Sequence, residues 1–114
     1  MSVVVSINLT LDKGTDFDET FTIYNQDGSL LEIYPSFIIT SKLRKHPAAK
    51  TEYPFDVYID RENSSVTISM SPEMTSQLPS GRYYYDVLLT YGYADTTTKK
   101  LINGNIIVQD TASI

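Results

Sequence analysis

Residues Arg82 to Tyr91 read R-Y-Y-Y-D-V-L-L-T-Y, the stretch that most constrains the fold. Tyr83, Tyr85, Val87, Leu89 and Tyr91 share one parity, and Tyr84, Asp86, Leu88 and Thr90 share the other. A period of two is the side-chain period of a strand, so this stretch predicts a strand with one face in a core. Gly81 precedes it and Gly92 follows it, each a turn signal.

The same alternation recurs in short runs along the chain. Val3, Val5, Ile7, Leu9 and Leu11 alternate with Val4, Ser6, Asn8 and Thr10 before the turn Asp12-Lys13-Gly14-Thr15-Asp16. Phe21 and Ile23 face away from Thr20 and Thr22 in a strand over 18–24, which ends at Asn25-Gln26-Asp27-Gly28. A short apolar segment, Leu30 to Ile33, stops at Pro35, and a strand is predicted over 37–44. Two prolines make Lys45 to Pro54 a loop. Phe55, Val57 and Ile59, then Val66, Ile68 and Met70, flank a turn and read as a hairpin. The last strand is predicted over 100–108, bent or bulged at Asn103-Gly104. Ser71-Pro72-Glu73 is a helix start, and Met74 with Leu78 gives it one apolar stripe, so a short helical turn is predicted near 72–78.

Seven or eight short strands with almost no helix predict an all-β, antiparallel β-sandwich, with a small barrel as the alternative. The 114 residues suit one domain. Residues 1–110 are assigned to the sandwich and 111–114 to a loose C-terminal tail.

Composition narrows the function classes. The net charge of -5 opposes nucleic-acid binding, which needs Lys and Arg to displace counterions from phosphate. No run is long and apolar enough for a membrane helix. The start, MSVVVSINLTL, lacks the basic, apolar and small-residue zones of a signal peptide. With no Cys there is no disulfide and no thiolate nucleophile.

Catalytic motifs are missing too. The one His, His46, stands before Pro47 in a loop and reads as a solvated side chain. The glycines are single, so no phosphate-cradling loop is present. Asp56 and Asp60, with Glu62 just beyond, could pair as acid and base, and that trio, or Asp12 with Asp16 and Asp18, could hold calcium, but their spacing also fits solvated edge charges. The sequence therefore predicts no enzyme, no cofactor and no metal.

Tyrosine is the unusual residue: nine are present, with no Trp. Tyr84, Tyr58 and Tyr24 fall on faces otherwise marked by Thr and Asp. Exposed Tyr is favoured at protein contacts because it brings apolar area with a polar tip. A solvated face and a sugar-stacking platform are the other readings. Tyr58, Tyr84, Tyr91 and Tyr93 are the protein-contact candidates. Leu78-Pro79-Ser80-Gly81-Arg82-Tyr83 has the form L-x-x-G-x-Y, in which Tyr83, with Gly81 and Leu78, is either a tyrosine corner or an ordinary core residue after a turn.

The order of these pieces carries a resemblance. Gly14-Thr15-Asp16-Phe17, Phe21-Thr22-Ile23, Asp27-Gly28-Ser29, a Leu-x-Ile segment and Leu43-Arg44 come first. Phe55-x-Val57, Val66-x-Ile68-x-Met70-Ser71, Thr75-x-x-Leu78, Gly81-x-Tyr83-x-Tyr85-Asp86-Val87 and Leu101-x-x-Gly104-x-Ile106-x-Val108 follow. This order resembles the small immunoglobulin-like virion proteins of tailed bacteriophages, baseplate- or tail-associated. It departs from them at Pro35-Ser36 and at Tyr84. The resemblance implies an immunoglobulin-like sandwich, made in the host cytoplasm and placed in the virion. Its partners would be other virion proteins, or further copies of itself. The alternative is a carbohydrate-binding or adhesion module of β-sandwich type.

Overall fold

Alternating segments that each bury one face are stable only when two such faces meet. In the computed structural model, which describes residues 5–92 and 95–113, they meet as two sheets. The larger contains β1 (Val5–Ser6), β2 (Leu9–Asp12), β4 (Ile38–Arg44), β5 (Tyr53–Pro54), β8 (Gly81–Tyr91) and β9 (Thr97–Gln109). Its order is β1-β9-β8-β4-β5, with β2 also on β9. The smaller has the order β3-β7-β6, from β3 (Phe17–Thr22), β6 (Asp56–Asp60) and β7 (Ser65–Met70). The fold is an immunoglobulin-like β-sandwich. Both sheets are antiparallel except that β1 and β2 run parallel to β9, so the chain's first and last strands lie side by side.

The inner faces interdigitate as the core. Leu43, Tyr83, Tyr85, Val87, Ile106, Val108 and Leu11 come from the large sheet, and Phe17, Phe21, Val66, Ile68 and Met70 from the small one. Phe55, just before β6, stacks on Phe17 with ring centroids 5.7 Å apart. Glu19 shares its parity with Phe17 and Phe21 and pairs across to the buried Ile68, so a half-buried carboxylate sits on the core side of edge strand β3.

One short helix, α1 (Pro72–Ser76), links β7 to β8. Ser71 caps it by accepting from the Met74 N–H at 3.3 Å, and Pro72 stands at its start. Thr75 is fully buried; its hydroxyl donates to Thr15 O (2.8 Å) and accepts from Gly14 N–H (3.0 Å). That pair fixes the β2–β3 turn against the helix.

Four details differ from the sequence reading. The first strand is broken, because Ile7 and Asn8 leave the ladder between β1 and β2. The segment Lys45 to Pro54 is not all loop, since Tyr53 and Pro54 pair with Leu43 and Lys42. The last strand begins at Thr97, three residues before the expected start at Lys100. Its bulge is not at Asn103-Gly104. Val87 pairs with Ile102 but Leu88 with Lys100, so Leu101 is the extra residue. A bulge turns two successive side chains to one face, and Leu101 and Ile102 are both buried. At the tail, the Thr111 hydroxyl donates to Lys13 O at 2.9 Å.

Gly104 serves a different purpose. A Cβ there would stand 2.8 Å from the Ile7 carbonyl carbon, closer still to its oxygen, and 3.1 Å from the Tyr85 ring. The Ile7 carbonyl therefore rests on bare backbone, where it accepts the Tyr85 hydroxyl at 2.8 Å. Ile7 N–H donates to Asn103 O (2.9 Å), and Asn8 Oδ1 replaces a ladder carbonyl by accepting from Asn105 N–H (3.0 Å).

This contact makes two predictions. Gly104→Ala should push the first strand off β9 and cost about 1–3 kcal/mol, the usual penalty for overpacking. Urea unfolding would measure the loss, and amide exchange should rise in 5–12 before it rises in β6 and β7. Burial, and secondarily the Glu19 carboxylate, pushes the Tyr85 phenol up to about 12. A raised folded-state pKa favours the protonated phenol, so its contribution is whole below the ordinary value near 10 and is lost as pH climbs towards 12. Stability against pH over that window should fall less steeply in Tyr85→Phe.

Candidate functional site

The outer face of the large sheet is a grid whose rows follow from strand register. One row runs Ser6, Asn103, Asp86, Lys42 across four strands. The next runs Asn105, Tyr84, Arg44, with Asn8 joined at the β9 end by its bond to Asn105 N–H. A third runs Lys100, Leu88, Thr40. The grid lines a hollow of 620 Å³.

Its polar groups are only partly satisfied within the chain. The Ser6 hydroxyl donates to Asn103 Oδ1 at 2.8 Å, which leaves that carboxamide's NH₂ without a partner among the described residues. Asn8 uses its oxygen and keeps its NH₂ free in the same sense. Lys42 and Arg44 both bind Glu52, the first at 2.9 Å, and their hydrogen bonds hold the Glu52 carboxyl below its ordinary pKa. Asp86 and Lys100 make no ion pair among the described residues. Tyr84, 41% exposed, projects from the middle of this field.

The four contact candidates do not converge. Tyr84 lies in the hollow. Tyr58, 68% exposed, projects from the outer face of the small sheet, on the opposite side of the sandwich. Tyr91 is half-buried and packs on Phe37 at 5.4 Å, and Phe37 meets Tyr34 edge-on at 5.3 Å. That cluster, with the exposed Ile38 beside it, occupies the β4–β8 end. Tyr93 lies outside the described residues. Asn8, Asn103, Asn105 and Asp86 were not singled out from sequence. Alternation gives each residue's face, but only cross-strand register shows which residues are neighbours.

Tyr83 donates from its hydroxyl to Pro79 O at 2.6 Å, four residues back, as β8 leaves the helix turn. This is the geometry of a tyrosine corner. Leu78 is fully buried beneath it, and Gly81 turns the chain with a φ of +139° that other residues rarely adopt. Lys45 Nζ lies 4.7 Å from the Tyr83 ring centroid, and Tyr53 packs edge-on at 6.2 Å. Burial pushes the Tyr83 phenol up.

The carboxylates considered as acid–base or calcium groups are dispersed. Asp56 and Asp60 stand two rows apart on the small sheet, and Asp12 accepts from the Gln109 carboxamide at 2.7 Å. Among the described residues no group of three or more His, Asp and Glu is placed to hold a metal ion. His46 is exposed.

No protein-family model and no curated protein matches the chain. Among solved structures, an internalin-like protein of Listeria monocytogenes is similar over 95% of this chain, at 16% identity and a TM-score of 0.43. The chain spans 28% of that protein's length. AggA, the major subunit of aggregative adherence fimbriae type I from Escherichia coli, is similar over 90% of this chain and 89% of its own, at 12% identity and a TM-score of 0.50. At such identity the likeness to AggA is one of fold.

The corner sets an expectation for stability. Tyr83→Phe keeps the ring and deletes the bond to Pro79 O, so it should cost about 1 kcal/mol in urea unfolding. Tyr84→Phe removes a hydroxyl that makes no hydrogen bond among the described residues, and should change stability by less than about 0.5 kcal/mol.

Proposed function

We propose that the chain is a non-enzymatic structural module of a tailed-bacteriophage virion, tail- or baseplate-associated, which binds neighbouring subunits by surface complementarity. The observation that carries this reading is the outer face of the large sheet. It offers a recess, an exposed aromatic ring and hydrogen-bonding groups without partners among the described residues. A buried aromatic anchor ringed by polar groups is how a protein contact gains energy and specificity. Among the described residues that line the recess, no nucleophile is paired with a base and Asp86 is the one carboxylate. The order of motifs along the chain supports the virion assignment.

A second reading, a saccharide-binding adhesion module, is favoured by one feature: the side-chain NH₂ groups of Asn8 and Asn103, without partners among the described residues, line the same hollow as the Tyr84 ring. Amides and an aromatic plate are suited to sugar hydroxyls and sugar faces.

The test is mass spectrometry of virions purified from the phage that encodes the chain. The chain should be present at a fixed copy number. Tyr84→Asp, which leaves the core untouched, should reduce incorporation at least tenfold. Absence from mature particles would refute a role in the finished virion. Binding to a glycan array that Tyr84→Ala abolishes, with incorporation unchanged, would favour the adhesion reading.

A further inference from the structure

The outer face of the small sheet has a composition unlike the rest of the surface. Its rows are Asp18, Ser69, Asp56, then Thr20, Thr67, Tyr58, then Thr22, Ser65, Asp60. Three corners are carboxylates, and no position is cationic. None of the three enters an ion pair among the described residues. Asp60 accepts one bond, from the Asn63 side chain at 2.8 Å. On edge strand β6, Tyr58 stands between Asp56 and Asp60 on the same face, and at 68% it is the most exposed large hydrophobic among the described residues.

The opposite charge is concentrated elsewhere. Lys42, Arg44, Lys45 and Lys50 fall within the nine residues 42–50, together with His46, in a chain with nine Lys and Arg in all. Glu52 is shared by Lys42 and Arg44. Lys45 pairs with no carboxylate among the described residues; its ammonium rests over the Tyr83 ring and near Ser80 O at 3.4 Å. Lys50 is exposed. Lys45, His46, Lys50, Tyr53 and Pro79 border a hollow of 480 Å³ with no acidic residue in its wall.

The geometry points to a contact between copies of this chain, in which Tyr58 of one enters the Lys45–His46–Lys50 hollow of the next. The hollow is ample for a phenol ring. Ammonium groups at its rim would face the ring, a favourable cation–π arrangement. Asp56 and Asp60, two residues either side of Tyr58, then meet the cations of the 42–50 segment. The acidic frame and the basic hollow are different surfaces on different sheets, so the contact is heterologous. Such contacts propagate head to tail instead of closing a two-fold dimer. Each chain carries -5, and copies repel at long range. Salt screens that repulsion over about 10 Å at 0.1 M, and close opposite charges outweigh it.

This contact extends the subunit-binding reading but does not use the Tyr84 hollow, so either can fail without the other. The experiment is analytical ultracentrifugation of the wild-type chain from micromolar to millimolar concentration. Association should be concentration-dependent and at least tenfold weaker at about 1 M salt than at about 0.1 M. Tyr58→Ser with Asp56→Asn and Asp60→Asn removes the donor frame. Lys45→Gln with Lys50→Gln empties the hollow of cations. Each variant alone should be monomeric, and their mixture should form one 1:1 pair and nothing larger, since each keeps one intact surface. Lys45 also packs on Tyr83, so Lys50→Glu, which leaves the corner alone, should weaken self-association by itself. Wild-type chain that stays monomeric at millimolar concentration would overturn the proposal. So would variants that assemble as the wild type does, or a mixture that does not pair.

Discussion

The sandwich depends on one close approach, the Ile7 carbonyl lying on the bare backbone of Gly104 beneath the Tyr85 hydroxyl. Three distant parts of the chain meet there. The contact sets how the first strand lies along the last, and so closes the edge of the large sheet. It also explains the broken first strand. A carbonyl turned inward to Tyr85 is unavailable to the ladder, and Asn8 supplies its side-chain oxygen in the next position. Buried polar groups need partners, and here a core tyrosine provides one.

Much of the architecture was legible because it rests on local rules. The parity of Tyr83, Tyr85, Val87 and Leu89 was readable from alternation alone, and all four are buried. Ser71-Pro72-Glu73 starts a helix by capping chemistry that any three such residues share. What was not legible is long-range. Asn103-Gly104 looks like a strand breaker, yet the extra residue is Leu101, whose neighbour Ile102 is equally apolar. The requirement for Gly at 104 comes from a carbonyl 97 residues upstream, which no local pattern encodes. Tyr53-Pro54 pairs only because β4 offers an edge at Lys42 and Leu43.

The outer surfaces follow the same division. Alternation placed Tyr84 and Tyr58 outward, and both are exposed. It could not show that they belong to opposite faces of the molecule, nor that Asn8 and Asn105 share a row with Tyr84. Tyr91 shows the limit from the other side. It has core parity but sits at the strand's end, where it stacks on Phe37 and stays half-buried. The recess on one sheet and the acid-framed tyrosine on the other thus emerge only when the strands are paired.

Glu19 has a consequence for how such a molecule meets others. Its carboxylate points to the core side of β3, the open edge of the small sheet. A foreign strand added there would have to bury that charge, so the edge resists backbone pairing. Contacts are then left to side chains projecting from the faces, whose identities can change without disturbing the ladders. The scaffold and its recognition code are separable: partner choice can drift by point substitution while the hydrogen-bonded frame stays the same.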